Sequence, residues 1–185
     1  LILGSSGQIG SHLVDFLKKK NYIVFEFDIL NSKKQDLRIK KNKNLILKIK
    51  NFNFIFFLAF DVGGSRYLKK YQNTYKFLSN NIKIMENTFE IIKNYKKPFV
   101  FASSQMSNMS YSPYGILKNL GERYTHLLGG IVVKFWNVYG IERDLSKSHV
   151  ITDFILKALK TRKISMLTNG EEKRDFLYAE DCCEG

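Results

Sequence analysis

Apolar residues in this 185-residue chain form short runs that alternate with longer stretches of helical periodicity. The short runs predict five strands, at 1–3, 22–28, 54–59, 99–103 and 131–135. The longer amphipathic stretches predict helices at 8–20, 43–51, 66–94, 113–127 and 150–160. Strands that alternate with helices in this way form a parallel sheet covered by helices on both faces. The pattern therefore predicts an α/β, Rossmann-like doubly wound fold.

The first strand leads into a loop with three glycines, in "LILGSSGQIG". Glycine allows a tight turn and lets main-chain N–H groups approach a pyrophosphate, and the N-terminus of the next helix adds a positive dipole. We therefore expect the loop to bind a dinucleotide through Gly4, Ser6, Gly7, Gln8, Ile9 and Gly10. The spacing differs by one residue from the GxGxxG fingerprint, so the loop alone does not select one nucleotide-binding family. A glycine turn with a purely structural role is the alternative.

An acidic residue, Asp28, ends the second predicted strand 18 residues after Gly10. At that place in a dinucleotide-binding fold, a carboxylate accepts hydrogen bonds from the adenosine ribose and repels a 2′-phosphate. The sequence therefore predicts NAD as the cofactor, with NADP less favoured. A solvated aspartate in a turn is the alternative.

A tyrosine and a lysine lie four positions apart in "YSPYGILK", at the start of a predicted helix. Tyr114 and Lys118 therefore share one helix face, and Pro113 suits the first helical turn. An ammonium beside a phenol lowers the pKa of the phenol, so we expect Tyr114 to act as a general acid and base. Ser104, at the end of the fourth strand, is expected to hold the substrate oxygen beside it. Taken singly, the tyrosine and lysine also fit a surface pair, and the serine fits a helix cap.

Together these motifs resemble the extended short-chain dehydrogenase/reductase family, and within it the NAD-dependent epimerase/dehydratase group that acts on nucleotide sugars. The resemblance extends through nearly the whole chain and implies that Ser104, Tyr114 and Lys118 are catalytic, with Lys118 also binding the nicotinamide ribose. On the cofactor side it adds residues in "QDL", "FLAF" and the long helix: Asp36, Leu37, Leu58, Ala59 and Asn81. It also implies two substrate-binding residues, Asn137 in "KFWNVYG" and Arg174 in "EEKRDFLYAEDCCEG".

The resemblance implies a nucleotide-sugar epimerase or a related oxidoreductase that oxidises a sugar carbon transiently. Many 4,6-dehydratases of the family carry an Asp-Glu pair directly after the catalytic serine or threonine, where this chain has Gln105 and Met106. A plain epimerase or ketone reductase is therefore favoured, with a dehydratase as the alternative. A non-catalytic NAD(P)-binding sensor or scaffold is the alternative from another class.

Two connections are shorter than the family pattern leads us to expect. Ser104 and Tyr114 are only ten positions apart, and Asp28 and Asp36 are also close together. The first short connection implies a trimmed wall of the substrate pocket. The second predicts a shortened or missing third strand.

The chain is expected to divide into an NAD-binding domain with the catalytic residues, 1–148, and the beginning of a truncated substrate-binding region, 149–185. By resemblance, we expect a homodimer formed through the long helix that ends near Lys97 and the helix that carries Tyr114. His149, just before the last predicted helix, is interpreted as a helix-start residue, with contact to a phosphate as the alternative.

The net charge and the cysteine content narrow the range of partners, metals and cellular locations that we expect. The net charge of +13 suits a diphosphate ligand, and an RNA-binding member of the fold would rest on charge alone. The lysines show no RNA-binding signature and no zinc pattern, so we expect no nucleic-acid partner and no metal. The adjacent Cys182 and Cys183 cannot build a disulfide framework, which favours the cytoplasm. The most apolar stretch, at 52–60, is too short to cross a bilayer, so no membrane partner is expected.

Overall fold

The structure is a computed structural model that describes residues 1–166 and 168–185. Its main sheet contains five strands: β1 Ile2–Leu3, β2 Glu26–Phe27, β3 Ile55–Phe57, β4 Phe99–Ser104 and β5 Ile131–Phe135. All neighbouring strands are parallel, in the order β2-β1-β3-β4-β5. Successive residues of β1 pack on opposite faces, Ile2 with one apolar cluster and Leu3 with the other. The predicted α/β Rossmann-like fold is confirmed.

The described residues contain seven α-helices: α1 Gln8–Lys19, α2 Lys43–Ile49, α3 Ser65–Tyr71, α4 Tyr75–Tyr95, α5 Pro113–Leu127, α6 Val150–Thr161 and α7 Ala179–Glu184. The helix predicted at 113–127 has those bounds, because Ser112 caps it by accepting a hydrogen bond from the Gly115 N–H at 3.1 Å. The single helical region predicted at 66–94 is instead two helices. Thr74 separates them, since its hydroxyl accepts from the Phe77 N–H and starts α4.

The second strand is much shorter than predicted. Apolar residues from 22 to 28 indicated one strand, but pairing is confined to Glu26 and Phe27. Glu26 and Phe27 lie opposite Ile2 and Leu3 of β1. Tyr22 and Ile23 remain exposed. Between β2 and α2 the described chain forms a short 3-10 helix at 33–35 and no strand, as the short spacing indicated.

A second, two-stranded sheet was not predicted. Strand β6, Val138–Tyr139, pairs in parallel with β7, Leu177–Tyr178. The next helix, α7, lies against α1. Segments that are almost forty residues apart in the chain are thereby joined beside the main sheet.

Phenylalanine side chains fill the core between the sheet and the helices α4 and α5. Phe57 on β3, Phe89 on α4 and Phe101 on β4 are buried, with ring centroids 5.1 to 5.6 Å apart. Gly121 lets α5 approach closely, because a Cβ at that position would collide with the Phe101 ring. This packing fixes α5 against β4, where the predicted catalytic residues lie.

Within residues 1–166 and 168–185, every helix is too short or too polar to cross a lipid bilayer. The same residues contain no cluster of three or more histidine, cysteine or acidic side chains suited to a metal ion.

Candidate active site

A cavity of about 880 Å³ opens at the carboxyl-terminal ends of the strands. Residues at the end of each strand or just after it line the cavity: Gly4, Asp28, Leu58, Ser104 and Trp136. This is where an open parallel sheet binds its ligands. The cavity brings together all the site residues predicted from the sequence except Asn81.

The glycine loop is packed so closely that two of its glycines have no room for a side chain. Gly4 has a φ of +87°, in the left-handed region, and a Cβ there would lie 2.6 Å from the Ala59 nitrogen. A Cβ on Gly10 would collide with the Gly4 carbonyl oxygen. On Gly7, by contrast, a Cβ would make an ordinary contact at 3.4 Å. The protein itself therefore requires glycine at positions 4 and 10, and position 7 borders the cavity.

Asp28 fastens the glycine loop to the end of β2. One carboxylate oxygen accepts from the Ser6 N–H at 3.0 Å, and the other accepts from the Leu30 N–H at 2.9 Å. The Asp28 N–H donates to the Gln35 side chain at 2.8 Å. Each carboxylate oxygen retains a lone pair that can accept from a ligand hydroxyl. The aspartate is half-buried and held from three sides, unlike a solvated turn residue.

The next part of the cavity wall is an ion pair close in sequence. The Asp36 carboxylate accepts from the Arg38 guanidinium, from Nε at 2.9 Å and from Nη2 at 2.7 Å, and also from the Arg38 main-chain N–H at 2.9 Å. These bonds hold the pKa of the Asp36 carboxyl below its usual value. Arg38 also donates to the Asn80 side chain at 3.3 Å. Leu37 between them is buried, and its carbonyl accepts from the Asn87 amide.

Asn81 is buried on α4, outside the cavity lining. Its Oδ1 accepts from the Asp61 N–H at 2.7 Å, while its Nδ2 donates to the Asp61 and Phe77 carbonyls. Its amide therefore fixes the main chain that follows β3, just after Leu58 and Ala59. Its contacts are those of a residue that supports the cavity wall from behind.

Ser104, Tyr114 and Lys118 meet where β4 and the first turns of α5 converge. Tyr114 and Lys118 are 8% and 3% exposed, so neither belongs to a surface pair. The Lys118 ammonium donates to the Ala102 carbonyl at 2.7 Å and lies 3.8 Å from the centre of the Phe60 ring. The Ser104 hydroxyl accepts from the Met106 N–H at 3.2 Å, and its own proton faces the Tyr114 phenol, whose pKa it lowers.

The expected lowering of the tyrosine pKa is wrong for this structure. Burial raises the pKa of Tyr114 to about 12, and the nearby Ser104 hydroxyl offsets this only in part. Burial also lowers the pKa of Lys118 to about 7, against the opposing effect of Glu122. Spacing along the helix identified the two residues, but the burial of each side chain is the largest influence on its pKa.

The predicted substrate residues lie at the outer side of the same cavity. The Asn137 side chain donates to the Asp175 main-chain carbonyl at 3.1 Å. The main-chain carbonyl of Asn137 accepts from the Leu177 N–H at 3.2 Å. Arg174 is exposed and lines the cavity. Asn137 thus ties the segment that carries Arg174 to the end of β5.

NAD, the predicted cofactor, fits the residues that form this cavity. The glycines leave space at the N-terminus of α1, and within the described chain no side chain caps that helix. Its first N–H groups are therefore available to a phosphate. The Asp28 carboxylate stands at the end of the neighbouring strand, where a ribose is expected.

Comparisons with known proteins agree with this geometry. The profile of the "NAD dependent epimerase/dehydratase family" matches residues 1–185. A putative UDP-glucose 4-epimerase of Methanocaldococcus jannaschii is 30% identical over 213 residues, which cover 98% of this chain and 70% of the relative. The GDP-L-colitose synthase of Yersinia pseudotuberculosis is 27% identical over 218 residues, covering 100% of this chain and 69% of the relative. The chain belongs to the NAD dependent epimerase/dehydratase family.

The solved structures add agreement on the fold. The UDP-glucose 4-epimerase of Thermus thermophilus in complex with NAD superposes with a TM-score of 0.78 at 22% identity, covering 100% of this chain and 71% of that one. The predicted resemblance to extended short-chain dehydrogenases/reductases is confirmed. So are the NAD-dependent enzyme class and the choice of NAD.

The cavity also contains two clusters of polar side chains that the sequence did not indicate. In the first, the Asp61 carboxylate accepts from the Tyr67 hydroxyl at 2.6 Å and from Asn80 at 2.8 Å, and lies 3.2 Å from the Lys147 ammonium. Burial alone raises the pKa of Asp61, but these partners lower it below its usual value. Lys147 is 86 residues away in the chain, so no local pattern could have indicated the contact.

The second cluster joins His149 to Glu142. Glu142 accepts from the His149 N–H at 2.9 Å and also pairs with the His149 ring nitrogen Nδ1. His149 is the residue that starts α6, as interpreted from the sequence. Both residues also line the cavity, where the alternative interpretation, contact with a phosphate, would place His149.

Proposed function

We propose that this protein is an NAD-dependent nucleotide-sugar epimerase or a closely related oxidoreductase. The observation that carries the proposal is that Ser104, Tyr114 and Lys118 share one cavity with the glycine loop. A nucleotide-sugar substrate is supported by the related putative UDP-glucose 4-epimerase and GDP-L-colitose synthase.

Each catalytic residue has a distinct task in this proposal. NAD, when bound, supplies the acceptor and donor of the hydride. The Ser104 hydroxyl, beside the Tyr114 phenol, orients the sugar oxygen by hydrogen bonding. Tyr114 removes the hydroxyl proton as the sugar carbon is oxidised and returns it when the carbonyl is reduced. Lys118 binds the nicotinamide ribose and, as an ammonium, favours the phenolate of Tyr114.

The protonation states without ligands favour one direction of this transfer. With a pKa near 12, Tyr114 holds its proton at neutral pH and is ready to donate it to a ketone oxygen. To accept a proton, its pKa must fall when the ligands bind. Lys118, with a pKa of about 7, loses its charge as the pH rises above neutrality. We therefore expect activity to decline on the alkaline side.

The outer part of the cavity would bind the sugar nucleotide. Arg174 is proposed to reach its diphosphate, and Asn137 is proposed to face the substrate. Lys147 and Lys173 also line this part, which suits a doubly charged anion. Asn81 is proposed to act indirectly, by holding the main chain beside the cofactor.

A ketone reductase is the second candidate. Gln105 and Met106 line the cavity where a 4,6-dehydratase needs acidic side chains, so elimination is the less supported chemistry. A protonated Tyr114 suits reduction of a ketone as well as it suits the second half of an epimerisation.

The test is to incubate the full-length protein and Tyr114→Phe with NAD and a panel of UDP-, GDP- and CDP-sugars, following products by NMR. We expect the wild type to epimerise at least one sugar. Tyr114→Phe should lose at least about 100-fold in rate, as expected for loss of a general acid and base. Tyr111→Phe, on an exposed tyrosine, is the matched control.

Other results identify the alternatives. A wild type that binds NAD and converts no sugar supports the sensor or scaffold. A keto-deoxy product supports a dehydratase. Consumption of NADH with a keto sugar, without epimerisation, supports the reductase.

We also propose a homodimer through α4 and α5. Ile82 on α4 and Leu120 and Tyr124 on α5 line one shallow groove and are each more than a third exposed. Apolar side chains grouped in this way are typical of an interface. Leu120→Asp should convert a dimer to a monomer by light scattering. The control is Ile155→Asp, at an exposed apolar residue of α6.

The domain division and location are proposals as well. We place the NAD-binding domain at 1–148 and the start of the substrate-binding region at 149–185, linked by the pairing of β6 with β7. Cys182 and Cys183 both have free thiols, which supports a cytoplasmic location.

A further inference from the structure

Glu122 lies one helical turn after Lys118, in "YGILKNLGE". Tyr114, Lys118 and Glu122 recur every four residues, so they follow one face of α5. Glu122 is 8% exposed. Glutamate is rarely buried to this extent unless it is paired, so its partners indicate its role.

Two side chains from the sheet hold the Glu122 carboxylate. Ser103 on β4 donates its hydroxyl proton to Oε1, and the Lys134 ammonium on β5 lies 3.2 Å from Oε2. Ser103 and Lys134 are register partners across β4 and β5, so they point to the same face of the sheet. Glu122 therefore joins α5 to two neighbouring strands at one point.

Lys118 is anchored to the same part of β4. Its ammonium donates to the carbonyl of Ala102, the residue before Ser103. The rings of Phe60 and Phe101 surround it, with centres 3.8 and 5.0 Å from Nζ. Aromatic faces and one carbonyl supply partial charges but no full negative charge.

Charged and titratable groups face the Lys118–Glu122 pair from several elements. Helix α5 contributes the Tyr114 phenol, and β5 contributes the Lys134 ammonium. Burial raises the pKa of Glu122, but Ser103, Ser107 and Lys134 lower it below its usual value, so the carboxylate is ionised at neutral pH. Its charge in turn raises the pKa of Lys118 against the effect of burial. Lys134 is the ammonium in contact with this carboxylate, at 3.2 Å, whereas Lys118 lies on the preceding turn of α5 without an ion-pair contact to Glu122.

We propose that Glu122 is a positioning residue for Lys118: its carboxylate, shared with Lys134, locks α5 onto β4 and β5 and supplies the counter-charge of the buried Lys118 ammonium. The catalytic meaning of this pair rests on the proposed function. The charge coupling between the Lys118 and Glu122 side chains does not depend on that function.

The direct test measures the titration of Lys118 without any substrate. The protein is labelled with [13Cε]lysine, and the Lys118 resonance is assigned by its loss in Lys118→Met. Glu122→Gln keeps the size and one hydrogen bond of the side chain but removes its charge. We expect it to lower the pKa of Lys118 by about 1 unit, the smaller end of the effect of a nearby opposite charge.

A second variant should move the same pKa the other way. Lys134→Met leaves the Glu122 carboxylate in place and removes the ammonium beside it, so the pKa of Lys118 should rise. Ser103→Ala removes a hydrogen bond and no charge, and it should have the smallest effect. If Glu122→Gln does not fold, Lys134→Met is compared with Ser103→Ala, and a Lys118 pKa that does not rise in Lys134→Met would overturn the proposal.

Activity supplies the readout that depends on the proposed function. The alkaline pH at which kcat/KM falls by half should move down in Glu122→Gln and up in Lys134→Met. A purely structural role would lower thermal stability in both variants without opposite shifts of Lys118, and that result would overturn the proposal. Opposite shifts in a protein that converts no sugar would uphold the charge coupling and defeat the proposed function instead.

Discussion

The two sides of the cavity are built differently. On the cofactor and catalytic side, Tyr114 and Lys118 are buried against a phenylalanine core, and hydrogen bonds to the main chain hold Asp28. On the substrate side, all residues of α6 are at least partly exposed, and Arg174 lies on an exposed segment. That segment is tied to β5 mainly through Asn137 and the β6–β7 pair. Changes on the first side should therefore affect folding and chemistry together, whereas changes on the second should affect substrate affinity alone.

The largest effect is expected from a methyl group on the glycine loop. Gly10→Ala places a Cβ against the Gly4 carbonyl oxygen, and main chain cannot move aside as a flexible side chain can. We expect the free energy of unfolding to fall by about 3 kcal/mol or more and NAD binding to be lost. Urea denaturation and calorimetric titration with NAD measure the two effects.

Gly7→Ala is the matched control in the same loop. A Cβ there makes an ordinary 3.4 Å contact, so the free energy of unfolding should change by no more than about 1 kcal/mol. If the folded variant still loses NAD affinity, the cofactor approaches the main chain at position 7. Equal destabilisation by both substitutions would contradict the packing described for the loop.

The next largest effect concerns the asparagine behind the cavity. Asn81→Leu removes a fully buried amide and leaves the Asp61 N–H and carbonyl without their partners, which should lower the free energy of unfolding by about 2 to 4 kcal/mol. Asn80→Leu removes contacts from a half-buried neighbour whose partners can turn to water, and it should cost less than about 1 kcal/mol. Urea denaturation compares the two. An equal fall in the free energy of unfolding in the two variants would contradict a special structural role for the buried Asn81.

A smaller effect should appear in the pH dependence of stability. The pKa of Lys118 is about 7 in the folded protein and 10.5 in its ordinary state, so between these values the unfolded chain binds more protons. This group therefore makes the free energy of unfolding rise with pH in that window. From pH 7 to pH 9, wild type should gain about 2 kcal/mol relative to Lys118→Met. The control is Lys76→Met, at an exposed lysine of α4, which should keep the wild-type slope.

The sequence was most informative where local signals and burial agree. Ser112, Pro113 and the apolar spacing of α5 predicted the bounds of that helix. The glycine loop predicted the part of the cavity wall that lies at the end of β1. Prediction failed where a neighbour decides the outcome. The pKa of Tyr114 follows burial that its helical spacing with Lys118 does not reveal.

Contacts between distant segments were also beyond prediction. Asp61 meets Lys147, and β6 meets β7, across stretches that carry no signal of pairing. These contacts lie mostly at the junction of the two sides of the cavity. The substrate side therefore depends most on contacts that local sequence patterns do not indicate.

The smallest effect is expected on that side, from Arg174→Ala. Because the side chain is exposed, its removal should leave the free energy of unfolding unchanged within about 0.5 kcal/mol. It should weaken the binding of UDP, used as a diphosphate probe in the presence of NAD, by about tenfold, the equivalent of one charge-assisted hydrogen bond. Arg123→Ala removes the same charge from an exposed site on α5, away from the cavity. If it weakens UDP binding equally, and if salt abolishes both effects, the bulk positive charge of the chain attracts the probe and Arg174 holds no diphosphate.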